Sequence, residues 1–282
     1  MKAHVAVVLV MLLATHTRAE TPATQPTVDD GKLFMLAVDQ LSAGAHHRRH
    51  AQLFGGELSG YNVLVLRAID KVQSTAPDGG GYFIGIKAKP AESPIGYRLR
   101  LFDRALLEPP RTSSYCSGST YTAFIEALNL ILPDDAKRLS PDRAEAMRMQ
   151  EPDGSRREDG VKFWGHWNDD GFGTHFALVQ YSRIGDEILP ARARPGDFAN
   201  ISWKSGHGHS VIFLGWHTDT SGKKHILYWA SQPGTNGLGD QLSPLDRIAE
   251  VKFVRLMRPQ SLFMFDPSTK VNRKVAGDKL DW

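Results

Sequence analysis

A single cysteine, Cys116, among 282 residues rules out an intrachain disulfide, so the fold must be held by its core alone. With 41% hydrophobic residues the chain can build a sizeable one. The lack of a disulfide matters because the sequence opens like that of an exported protein. Lys2 precedes an unbroken apolar run from Val5 to Ala14, followed by Thr17-Arg18-Ala19. A positive start, an apolar stretch too short to span a bilayer and small residues at the cleavage positions read as a secretory signal peptide over residues 1–19. The expected destination is secreted or periplasmic. Cleavage would take the net charge from +3 to +1, because Lys2 and Arg18 leave. Nothing in the remainder resembles the basic stripe with interleaved aromatics that nucleic-acid binding needs. No other segment has the length and apolarity of a membrane span, so no stable membrane insertion is expected after cleavage. A lone exported thiol is buried and inert, paired with another chain, or kept for its reactivity.

The organisation follows from turn signals and periodicity. Residues 20–30 (ETPATQPTVDD) read as a linker, 31–110 as an N-terminal region of helices and strands, 111–260 as the main domain and 261–282 as a tail. Helices are expected at Lys32–Leu41, Tyr61–Gln73 and Ser117–Leu130, and one opens at Ser140-Pro141, with Ser as N-cap and Pro at the first helical position. Strands are expected at Tyr82–Lys87, Arg98–Phe102, Phe198–Trp203, Ser210–Trp216, Ile226–Ser231 and Val251–Met257. Ser210–Trp216 is apolar on both faces and belongs at the centre of a sheet. Helices first and consecutive antiparallel strands after them make the chain α+β. The segment HHRRH at 46–50 has no Glu of the HExxH kind and reads as a solvated basic turn. Residues 151–173 read as a long loop in which Phe163, Trp164 and Trp167 could wall a cleft.

Cys116 stands at the head of the Ser117–Leu130 helix. Unpaired amides there favour a thiolate and could bind the oxyanion of a tetrahedral intermediate. A base should come from a rigid element. SGHGHSVIFLGW offers His207, flanked by glycines, and His209, at the first position of the strand, so His209 is preferred. A His-Gly-His metal site is the alternative for the two histidines. A third polar group should fix the imidazole tautomer. The end of the strand ILYWASQ offers Ser231 and Gln232, and Asn236 follows. Gln232 has the longest reach and shares a strand face with Tyr228 and Ala230.

The stretch SYCSGSTYTAF resembles the Cys-Ser-Gly helix start of NlpC/P60 cell-wall peptidases. ARPGDF and GHSVIFLGW resemble their Pro-Gly-Asp turn and His-bearing strand, in the same order, and ILYWAS is similar to the strand that follows. The resemblance covers about residues 111–232. It implies a papain-like fold, with the nucleophile helix packed on a central antiparallel sheet. It also implies a cysteine peptidase or amidase that needs no cofactor or metal and acts on peptidoglycan stem peptides or another amide. Cys116, His209 and Gln232 would then be catalytic, with Tyr115, Ser117, Trp164 and His207 around the substrate. Two departures stand out: Tyr115 occupies a position where the family commonly has Asp, and the family's usual third residue, often His, would fall at Trp229. An acyltransferase or transglutaminase-like enzyme and a non-catalytic cell-wall-binding fold are the other expected classes.

Overall fold

The computed structural model describes residues 32–281 apart from 57, 90–91, 110, 134–135, 156–162 and 166–170. The expected signal peptide, the linker and Trp167 lie outside the described residues. No helix among them is long and apolar enough to cross a membrane.

A six-stranded antiparallel sheet organises the molecule. It comprises β3 (Gly185–Ile188), β4 (Phe198–Trp203), β5 (Gly208–Thr218), β6 (Lys224–Gln232), β7 (Gly237–Pro244) and β8 (Ile248–Leu256), in the order β3-β8-β4-β5-β6-β7. The expected strands of the C-terminal half are all present, and the sheet is antiparallel throughout. The period-2 alternation of β5 and β6 gives each face its own core. Ile212, Leu214, Leu227 and Trp229 join the helical side, whereas Val211, Phe213, Tyr228 and Ala230 join a second cluster with Phe253.

Two long helices cover the first face. α3 (Asn62–Gln73) and α4 (Cys116–Ile131) follow α1 (Val38–Leu41) and α2 (His50–Phe54), and α5 (Pro141–Ala146) comes after them. Val65, Leu66 and Ile69 of α3 share one core with Phe124 and Leu128 of α4, so the N-terminal region is built into the main body. Lys71 on α3 bonds the Glu126 carboxylate on α4 at 2.6 Å. The cap of α5 forms as expected, with Ser140 Oγ accepting from the Arg143 amide. β1 (Leu99–Leu101) and β2 (Arg104–Leu107) form a separate hairpin.

Several expectations fail for physical reasons. Lys32–Leu41 is helical only over its last four residues. Residues 82–87 form no strand: Tyr82 makes an isolated bridge to Ser114, and Gly85–Lys87 is a 3₁₀ turn. The Gly79-Gly80-Gly81 run does more than end α3. Gly81 N–H donates to Asn236 O, and Gly79 O accepts from Leu238. A Cβ on Gly237 would lie 2.1 Å from Gly79 O, so both backbones require glycine at this crossing. The expected tail is docked, with Val251 and Asp278 exchanging backbone hydrogen bonds and Leu262, Phe263 and Phe265 buried.

Trp164 and Phe163 are fully buried and do not wall a cleft. The Trp164 ring lies 5.2 Å from Phe124 and meets Phe198 edge-on at 5.3 Å. Its backbone has φ 69°, a strained conformation for a bulky residue. Burying a ring of this size returns about 2–3 kcal/mol, enough to hold that conformation.

Candidate active site

The sheet splays open beneath the start of α4. β5 and β6 pair from Thr218↔Lys224 to Ile212↔Trp229, with a bulge between Phe213 and Gly215. Past that point the Ser231 amide donates to Ser119 Oγ of α4, and Ser210 Oγ bonds Thr120 Oγ1 at 2.8 Å. Ser114 Oγ reaches Ser231 Oγ at 2.9 Å, just ahead of the helix. Small hydroxyl residues on helix and strands thus replace ladder bonds and seat the helix N-terminus between the two strands. This explains why the first turn of α4 is rich in Ser and Thr.

Cys116 is the first residue of α4, preceded by Tyr115 in an extended conformation. Its thiol is 3% exposed. The rings of Tyr82 and of Tyr115, the residue before Cys116, are tilted against each other with centres 5.7 Å apart. Burial, reinforced by the charge a Cys116 thiolate would carry, pushes the Tyr82 phenol well above its ordinary range. The same two causes push Tyr228 up to about 12, against a hydrogen bond from Ser243. Tyr228 in turn meets the His209 ring edge-on, at 5.4 Å between centres.

His209 pairs with Ile201 on β4 and faces away from Ser210, onto the side of the sheet that carries Tyr228 and Gln232. It is 9% exposed, and burial holds its pKa down to about 4, while the Gln232 side chain pulls the other way. The Gln232 Nε2 group donates to Thr235 Oγ1 at 2.7 Å and Gly239 O at 2.9 Å. Only an amide nitrogen can donate to a carbonyl, so Oε1 is the atom left toward the imidazole. His209 Nε2 and Gln232 Oε1 are both buried and lack a partner in strict hydrogen-bond geometry. A small adjustment would let each satisfy the other.

Ser231 and Asn236 stand elsewhere. Ser231 points to the helical side and bonds the Ser114 carbonyl. Asn236 is an exposed turn residue in the left-handed conformation, donating to Asp78 O. Trp229 also faces the helices, its indole donating to Gln73 Oε1 at 2.8 Å, so this position could not present any side chain to His209. His207 is exposed in the β4–β5 hairpin, its Nδ1 3.4 Å from Ser205 Oγ. Ser117 is buried and tied to Ser93 Oγ, so it does not line open space as expected. A Cβ on Gly118 would lie 2.2 Å from Pro94 O, so the loop at 93–95 covers this flank of the helix start. Tyr82 and Tyr228 escaped sequence reasoning, because phenols in a loop and in a strand carry no motif. Gln232→Ala is expected to lower turnover about ten- to a thousandfold by loosening the imidazole. It should also destabilise the fold by about 1–3 kcal/mol, since Thr235 and Gly239 lose their donor. Kinetics and urea unfolding of the one variant measure both.

The expected solvated turn at 46–50 is solvated at Arg48 and Arg49 but not at its histidines. His50 is fully buried, with Nδ1 2.7 Å from Asp70 Oδ1 and Nε2 2.9 Å from Asp240 Oδ1. Burial alone would lower the pKa of His50, but the two carboxylates outweigh it and hold the ring up at about 9. His47 Nε2 lies 2.9 Å from the other Asp240 oxygen.

Compared with family models, curated proteins and solved structures, the chain finds no match. The functional reading therefore rests on the site geometry and on the resemblance its motifs carry.

Proposed function

We propose that this chain is an exported papain-like cysteine hydrolase of the NlpC/P60 kind, cleaving an amide bond in peptidoglycan stem peptides. The observation that carries the reading is the placement of Cys116 at a helix start whose first turn bonds both β5 and β6, the strands that carry His209 and Gln232. In this reading His209 takes the thiol proton as Cys116 Sγ attacks the amide carbon. The first-turn amides of α4 stabilise the resulting oxyanion. The imidazolium then protonates the departing amine, leaving a thioester. Water, deprotonated by the now neutral His209, hydrolyses it and restores the thiol. Gln232 Oε1 holds the ring in place throughout.

A ring whose pKa is about 4 is neutral at physiological pH, so the resting imidazole is free to accept a proton. Its basicity rises as the thiolate forms beside it, because the new charge favours the imidazolium. The acid limb of kcat/KM is therefore expected near pH 4, well below the ordinary histidine range. The same depression makes a stability prediction. The unfolded chain binds this proton at about pH 6.5, so the contribution is fully present above that value and is lost as pH falls through 4. A difference of that size is about 3 kcal/mol. Urea unfolding across the window should show the slope in the wild type and a shallower one in His209→Gln.

The functional test is digestion of purified peptidoglycan sacculi, with released fragments identified by mass spectrometry. Peptide release by the wild type and none by Cys116→Ser supports the hydrolase. Amide exchange onto an added amine in preference to water points to an acyltransferase. Cysteine-independent or absent release leaves a binding fold and overturns the reading.

A further inference from the structure

We propose that His47, His50 and Asp240 form a binding site for one divalent transition-metal ion of the zinc class, separate from the Cys116 centre. One ligand atom from each side chain lies within 4.8 Å of those of the other two. The two rings stack at 4.1 Å between centres and turn both Nε2 atoms onto the two oxygens of one carboxylate. Two imidazoles and a carboxylate make the borderline donor set that zinc and its neighbours prefer. Three protein ligands leave a fourth position for water.

A second observation points the same way. His50 Nδ1 is held by Asp70, whose carboxylate also accepts the amides of His50 and Ala51. An outer carboxylate that fixes the far nitrogen of an imidazole and aims the near one is the support a metal-ligating histidine normally has. The site is closely enclosed: side-chain exposures are 4% for His47, 0% for His50 and 6% for Asp240. Without a metal, protons on the two Nε2 atoms make the contacts to Asp240, and the ion would take their place. His47 Nδ1 accepts from the Arg49 amide at 3.1 Å. Metal at Nε2 moves the His47 proton to Nδ1, so that amide must turn away on binding.

The position gives the ion a mechanical role. Asp240 on β7 follows Gly239, whose carbonyl anchors Gln232, and His46 Nε2 lies 2.8 Å from Thr235 O in the same turn. A metal here would clamp the 46–50 segment to the strand that carries this anchor.

The test uses the mature chain without a polyhistidine tag, stripped with chelator and titrated with Co²⁺ and Zn²⁺. One equivalent of Co²⁺ should bind with the ligand-field spectrum of a four- or five-coordinate site, and Zn²⁺ should displace it and raise Tm. His47→Ala and Asp240→Asn should weaken binding by at least about 100-fold, and Asp70→Asn by about 10- to 100-fold. His217→Ala, in a pair with His225 whose rings lie 6.0 Å apart, should change nothing. Circular dichroism identifies any variant that fails to fold, and His47→Ala leaves the His50 contacts to Asp70 and Asp240 in place. If the folded wild type binds no stoichiometric metal, the cluster is an ion-paired clamp and the proposal falls. It falls equally if His47→Ala binds like the wild type.

Discussion

Cys116→Ala should lower turnover of an amide substrate by at least about 10⁴-fold, His209→Ala by nearly as much, and the double variant by no more than either. In the proposed mechanism nucleophile and base act as one unit, so removing one leaves the other nothing to do. The substitution at Cys116 is a clean probe of chemistry. It deletes one sulfur from a 3% exposed site and should cost about 1 kcal/mol of stability. His209→Ala carries a second readout. With the ring neutral at rest, its loss should slow iodoacetamide labelling of Cys116 only modestly, while turnover collapses, because the base matters most as the thiol ionises. Additive losses in the double variant would mean that the two residues do not work together. Unchanged turnover in His209→Ala would transfer the role of base elsewhere and remove the basis of the hydrolase reading.

What could be read from the sequence, and what could not, divides along local and distant causes. The strands 198–203, 210–216 and 226–231 announced themselves as short apolar runs bounded by Gly-containing turns, and Ser140-Pro141 by its cap chemistry. Strand parity also placed Gln232 on the face of Tyr228, which is the face His209 looks onto. β7 was illegible because GLGDQLSP has the composition of a turn. It is a strand only because β6 pairs with it along its whole length, from Gln232↔Gly237 to His225↔Pro244. The 46–50 cluster was misread for the same reason: its partners Asp70 and Asp240 stand 20 and 190 residues away. Trp164 sat in a polar, Gly-rich stretch, which hid that its ring belongs to the core.

The Pro-Gly-Asp turn illustrates how a motif seen in sequence acquires a physical cause. Asp197 is fully buried and accepts from Arg255 Nε at 2.8 Å and Nη2 at 2.7 Å, from Asn62 Nδ2 at 2.8 Å and from the Arg194 amide at 2.8 Å. One carboxylate thereby joins the start of α3, the turn before β4 and the strand β8. Gly196 beside it has φ 91°, and a Cβ there would lie 2.8 Å from Asn62 O, which accounts for the glycine. Burying the carboxylate costs desolvation, and a pair of charges inside a protein can be replaced by apolar groups with little loss. Removing one partner alone is different, because Arg255 and Asn62 lose a buried charged acceptor and keep only backbone carbonyls such as those of Arg192 and Pro195. Asp197→Ala should therefore destabilise the fold by about 3–5 kcal/mol, a large share of the 5–15 kcal/mol typical of a folded domain. With a urea m-value of about 2–3 kcal/mol/M the midpoint should drop by roughly 1–2 M. Asp197→Asn, which keeps the shape and loses the charge, should fall between. A drop of less than about 0.3 M for Asp197→Ala would mean that desolvation already cancels the pair, and that the turn is held by its backbone bonds to Phe213 instead.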